Sequence, residues 1–97
     1  MKAKAITFCQ LALRSGNASL GDRLIPDIQS KKVYLVLYSS ICGNNRKKKL
    51  INKCAYYNIP ILEFDQDDFN TITYKMIQSM GIKDASLAQQ IYKEMKG

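Results

Sequence analysis

The chain has 97 residues, 46% of them hydrophobic and 24% charged, which suits one globular domain with one hydrophobic core and argues against a disordered or fibrous protein. Its 15 Lys and Arg outnumber 8 Asp and Glu for a formal charge of +7. The excess is uneven, since residues 1–53 hold 11 cations against Asp22 and Asp27 while residues 54–97 hold 4 against 6 acids.

Several function classes lose their support at once. No apolar run nears the roughly 20 residues that a membrane span needs. Thr7, Gln10 and Arg14 interrupt the apolar residues after Lys2 and Lys4, so no signal peptide is expected and the expected location is the cytoplasm. Cys9, Cys42 and Cys54 are widely spaced with no CxxC, which points to free thiols, not a disulfide framework. The absence of His removes the commonest metal ligand and the commonest general base. No metal and no cofactor are expected.

In chain order, residues 3–14 place Ile6, Cys9 and Leu13 at helical spacing, and Ser15-Gly16-Asn17 then stops the helix. Ala18-Ser19-Leu20 is a short extended segment. A second helix is expected between Asp22 and Gln29, with Pro26 drawing its start toward itself. Val33 to Tyr38 is continuously apolar and rich in β-formers, as a central strand covered on both faces should be. Residues 39–45 form a loop, with Asn44 or Asn45 as N-cap for a helix from Arg46 to Tyr57 whose buried stripe is Leu50, Ile51, Cys54 and Tyr57. Asn58 closes that helix, and residues 59–64 make a strand in which Pro60 removes one ladder donor and so demands an edge or unpaired position. The acids from Asp65 to Asp68 suit a helix start better than a cation site. Residues 77–82 make a weak last strand, and Asp84 caps a final helix over Ala85 to Lys96, with Leu87, Ala88, Ile91 and Met95 inward. Alternating helices and strands of this kind predict an α/β fold, a three-layer α/β/α sandwich formed by residues 1–97 as one domain.

No P-loop, GxGxxG, nucleophile elbow or HExxH motif is present, so no catalysis is expected. The feature with most chemical content is Asn44-Asn45-Arg46-Lys47-Lys48-Lys49. Four consecutive cations on a first helical turn fan out around the helix and oppose its dipole, a small cost that a phosphate backbone would offset. A solvated basic face is the competing account. Tyr34, Tyr38, Tyr56, Tyr57, Tyr74 and Tyr92 have the rings to stack on bases, though tyrosines at such positions also serve as core edges.

Two stretches resemble a known family. Leu11-Ala12-Leu13-Arg14-Ser15-Gly16 followed by Gly21, and Asn45-Arg46-Lys47-Lys48-Lys49-Leu50 running on through Lys53-Cys54 and Tyr56-Tyr57-Asn58-Ile59-Pro60, are similar to the kink-turn-binding ribosomal protein superfamily. Its large-subunit members are the L-seven-Ae and L-thirty-e types, and the chain most resembles the small bacterial YlxQ-like proteins. Gly81-Ile82-Lys83-Asp84, with Leu87-Ala88 beyond it, resembles the closing strand-to-helix step of that domain.

The resemblance implies an α/β/α sandwich on a mixed sheet of about four strands, and a role in binding structured RNA, ribosomal RNA among the candidates. In the ribosomal members a Gly-x-Asn-Glu-x-x-Lys segment reads the sheared G·A pairs of a kink-turn, and a short apolar loop covers a flipped-out base. Those roles would fall on Gly21, Asp22 and Arg23, and on Thr73, Tyr74, Lys75 and Met76. With Asn45, Arg46, Lys47 and Lys48 from the basic helix they make up the candidate RNA-binding set. The Asn-Glu pair is missing after Gly21, and Pro26 or Asp27 stands at the later Lys position, so the expectation is RNA binding with weak or absent kink-turn readout. Neither membrane association nor DNA specificity is expected, and a monomer is favoured. The alternative is a protein-interaction module on the same fold whose RNA site has decayed.

Overall fold

The computed structural model describes residues 2–96. Among the described residues five helices and four strands alternate. They are α1 (Lys2–Arg14), β1 (Ala18–Ser19), a 3-10 turn (Gly21–Arg23), α2 (Leu24–Gln29), β2 (Leu35–Ser39), α3 (Asn44–Tyr56), β3 (Ile61–Phe64), α4 (Gln66–Ile72), β4 (Ser79–Ile82) and α5 (Ala85–Lys96). The sheet is mixed, in the order β1-β4-β2-β3, with β2 parallel to β3 and antiparallel to β4. Pro60 precedes the edge strand, where its missing N–H costs nothing, while its carbonyl accepts the Val36 N–H at 3.0 Å.

Strand alternation builds two cores. Leu35, Leu37, Leu62, Phe64, Met80 and Ile82 face one way and bury α1, α4 and α5. Val36 faces the other way with Val33 and Ile59, and covers Leu24 and Ile28 of α2 and Leu50 and Cys54 of α3. The result is the expected α/β/α sandwich. The buried stripe of α1 is small (Ala5, Cys9, Ala12), so this helix lies close to the sheet and packs along α5. Burial pushes the Cys9 thiol up to about 12 and Cys54 up to about 11, so both stay protonated and inert. No helix among the described residues is long and apolar enough to cross a membrane.

Three helices stop by one device. Gly16, Lys31 and Asn58 take left-handed φ values of 75°, 57° and 58°. The next N–H in each case reaches back five residues, to the carbonyls of Ala12 (2.8 Å), Asp27 (2.9 Å) and Cys54 (2.8 Å). The Gly16 and Asn58 stops match expectation.

Three local expectations need correction. Pro26 is the third residue of α2 and not its start, because the 3-10 turn carries the chain into the helix and a first-turn N–H has no partner to lose. Gly43 precedes α3, and no side chain caps it, so neither Asn44 nor Asn45 is the N-cap and the helix begins two residues before Arg46. Ile51 is 39% exposed, because it lies one helical step round from Leu50, off the line through Leu50, Cys54 and Tyr57.

Gly81, in β4, is where α2 comes close to the sheet. A Cβ there would stand 2.6 Å from Leu24 Cδ1 and 3.0 Å from Val33 Cγ1, both on fully packed residues. Gly81→Ala is therefore expected to destabilise the fold by about 1–3 kcal/mol, read from urea melts, and an unchanged midpoint would show that α2 can move aside.

Candidate nucleic-acid interface

The strand directions bring the C-terminal ends of β1, β2 and β3 and the N-terminal end of β4 to one edge of the molecule. From that edge emerge the Gly21–Arg23 turn, the loop into α3 and the start of α4, and the 73–78 segment enters β4 there. Gln66 Nε2 donates to the Ile77 carbonyl at 3.1 Å and Ser39 N–H to the Gln78 carbonyl at 2.8 Å, which ties the end of that segment down.

Arg46 joins the pieces. Its Nη2 donates to the Gly21 carbonyl at 3.2 Å and to Ser79 Oγ at 3.4 Å. The start of the second helical segment and the start of the basic helix, 25 residues apart in sequence, thus lie side by side. Gly21 sits at a φ of 57°, and Asp22 and Arg23 beside it are exposed.

The other cations of α3 separate into roles. Lys47 lies back over the sheet, its Nζ 3.9 Å from Glu63 Oε2 and 5.4 Å from the Tyr38 ring centroid. Lys48 and Lys49 are exposed, as is Asn45. The helix end itself adds to the field. The α4 N-terminus is closed by Asp68, whose Oδ2 accepts the Asp65 N–H at 3.0 Å, and Asp84 Oδ1 accepts the Leu87 N–H at 2.9 Å at the start of α5. The α3 N-terminus has no such side-chain cap. Open first-turn amides, a positive dipole end and clustered cations make it an anion-attracting point of this edge.

Thr73, Tyr74 and Lys75 fall on the α4–β4 segment. Tyr74 is 95% exposed, and Lys75 N–H donates to Thr73 Oγ1 at 3.3 Å. A groove of about 360 Å³ between Thr73, Tyr74 and Ile72 on one side and Gln10, Leu13 and Arg14 on the other organises this part of the set around α1. Arg14 is the functional candidate that residue-by-residue reading passed over. It stands inside the Leu11–Gly16 motif, exposed, and that motif was the signal available.

Asp65 and Asp68 of the acidic half serve structural roles. Lys2 Nζ lies 3.6 Å from Asp65 and 3.3 Å from Asp68, whose hydrogen bond and charge raise the Lys2 pKa. Among the described residues no group of His, Cys, Asp and Glu could hold a metal ion.

Known proteins similar to this one include two that span nearly the whole chain. The RNA-binding protein YlxQ of Enterococcus faecium is 30% identical over 98 positions, which cover 99% of this chain and 95% of that protein. A solved structure of a protein of unknown function from Bacillus halodurans superposes with a TM-score of 0.91 at 28% identity, covering 98% of this chain and 99% of that one. No family model matches the chain.

Arg46→Ala removes the one tie between Gly21 and Ser79 described above. Expected are faster amide exchange at residues 21–24 and a stability loss of about 1 kcal/mol, with Arg46→Lys restoring little because an ammonium does not reach both acceptors as the guanidinium does. Exchange at residues 21–24 that stays at the wild-type rate in Arg46→Ala would show that the turn holds itself.

Proposed function

The chain belongs to the YlxQ family, and on that premise we propose that it is a non-catalytic protein that binds folded RNA through the edge where Gly21–Arg23 meets the basic turns of α3. The observation that carries this reading is the Arg46 bridge to Gly21 and Ser79, which sets the Gly21–Arg23 turn and the start of β4 beside the basic, uncapped N-terminus of α3. Lys48, Lys49 and Arg23 are exposed there for phosphate contacts. Tyr74 and Met76, 95% and 88% exposed, offer apolar contact for an unstacked base, with Arg14 beside Tyr74. Ribosomal RNA or another cytoplasmic ribonucleoprotein is the natural setting for such a surface.

Kink-turn readout is weak in this proposal. Counted from Gly21, Arg23 presents a guanidinium and Leu24 a buried apolar side chain where the ribosomal members' Gly-x-Asn-Glu places an amide and a carboxylate, so the sheared G·A pairs lose their matched donors and acceptors. Phosphate contact and shape then dominate, as is general for structured RNA. Titration of a kink-turn RNA and of the same RNA with its G·A pairs replaced is expected to give affinities within about threefold of each other, and a far larger preference for the intact motif would refute this part.

Lys47 and Lys48 separate the contributions. Lys48→Ala is expected to weaken binding across RNA sequences and to flatten the salt dependence by about one unit of slope, whereas Lys47→Ala, already held by Glu63 and Tyr38, changes the slope less. An unchanged slope in Lys48→Ala would remove Lys48 from the interface.

A further inference from the structure

The opposite end of the sheet carries a second organised surface. Two grooves of about 270 and 200 Å³ lie side by side there and share the wall made by Tyr34 and Pro60. Tyr92 lines the first groove and Tyr57 the second. Tyr34 N–H donates to the Ile82 carbonyl at 2.8 Å, which puts the shared wall at the far end of β4 from Ser79, about 10 Å along the strand. Tyr34 and Tyr92 remain 50% and 40% exposed.

The charge on this surface has one sign. Among the described residues lining the two grooves Lys31 is the single charged one, and no carboxylate lines either. Lys32 is exposed beside it. Lys31 also works against its own backbone, since it holds the left-handed position that ends α2, with a φ of 57°, where glycine is favoured. The need for a cation near the C-terminal ends of α2 and α3 does not account for it, because Lys32 supplies that charge at an ordinary φ. What Lys31 adds is a side chain on the groove between Tyr34 and Tyr57.

We propose that this surface is a second nucleic-acid site, for a single-stranded stretch of RNA, independent of the face around Arg46. Two neighbouring bases stack against the tyrosines, one in each groove with Tyr34 between them, and the phosphates meet Lys31 and Lys32. Aromatic rings beside cations, with no acids and no dense set of hydrogen-bonding groups, are the chemistry of sequence-tolerant single-strand binding. A proline-rich peptide would also fit tyrosine-walled grooves, but the overall charge of +7 and the lone lysine among the lining residues favour a polyanion. The protein would then hold a folded RNA at one end of the sheet and an unpaired strand at the other.

The test uses the full chain with a labelled oligo-uridine and, separately, a structured RNA, read by fluorescence anisotropy at low salt, alongside thermal melts. Lys31→Gly is expected to raise Tm by about 4 °C, by relieving the left-handed lysine, and yet to weaken oligo-uridine binding several-fold. Gain of stability with loss of binding is a combination that a structural role for Lys31 does not produce. Tyr34→Ala in protein shown to be folded is expected to weaken oligo-uridine binding about tenfold. Both variants should leave the structured RNA unaffected, and Lys48→Ala should do the reverse. The proposal is overturned if oligo-uridine binds equally to wild type, Lys31→Gly and Tyr34→Ala, or if its binding is lost in Lys48→Ala instead. It is also overturned if an acidic proline-rich peptide, and not oligo-uridine, gives saturable binding that depends on Tyr34. Loss of structured-RNA binding alone would refute the function proposed for the Arg46 face and leave this site standing.

Discussion

The architecture depends on covering both faces of β2. Its five residues alternate, so Leu35 and Leu37 require one apolar layer while Val36 requires another on the opposite side. A chain of 97 residues meets both demands by sending α1, α4 and α5 to one face and α2 and α3 to the other. Close packing then sets the details. Gly81 in β4, in register with Val36, leaves the space that the Leu24 side chain of α2 occupies. Ala5, Cys9 and Ala12 do the same for α1 on the other face. The serines that this packing buries are paired: Ser19 Oγ donates to Asp27 Oδ2 at 2.7 Å, Ser39 Oγ accepts the Ile41 N–H at 3.2 Å, and Ser79 Oγ accepts from Arg46.

Strand direction turns that scaffold into two different ends. At one, three strands finish and β4 begins, so three loops and the uncapped start of α3 converge around Arg46. At the other lie the ends of α2 and α3 and the turns that follow, with carbonyls closed by backbone bonds from Lys32 and Ile59. The first end gains its character from charge and open amides, the second from tyrosines and a strained lysine. Lys47 shows how the fold moderates its own field. Folded onto Tyr38 and near Glu63, whose carboxylate offsets part of its charge, it leaves Lys48 and Lys49 as the outward cations.

Much of this was legible in the residues. Helical spacing marked α1, α3 and α5, glycine and asparagine marked two helix stops, and the apolar run from Val33 to Tyr38 marked the central strand. The ends of elements were less so. Asn44 and Asn45 have good capping chemistry, but Gly43 takes the N-cap position, and residue type alone does not announce which of three neighbours the backbone will choose. Lys31 was invisible as a helix stop because lysine carries no left-handed preference, and only the closing bond from Lys32 to Asp27 forces it there.

The sequence by itself determined the fold class, the two-faced sheet and the basic character of α3, because periodicity and charge are local properties that each segment carries alone. It also carried, through the motif from Asn45 to Pro60, the resemblance to YlxQ-like proteins, the part of the family reading that the YlxQ relative bears out. Only the tertiary structure decided which basic groups stand together. Arg46 meets Gly21 and Ser79 across 25 and 33 residues, Lys47 is diverted to Glu63, and Arg14 comes to lie beside Tyr74. Likewise Tyr34, Tyr57 and Tyr92 line adjoining grooves only because the sheet ends where α3 stops and α5 starts. Such neighbours are set by strand order and packing, which act between segments distant in the chain, and no local pattern encodes them.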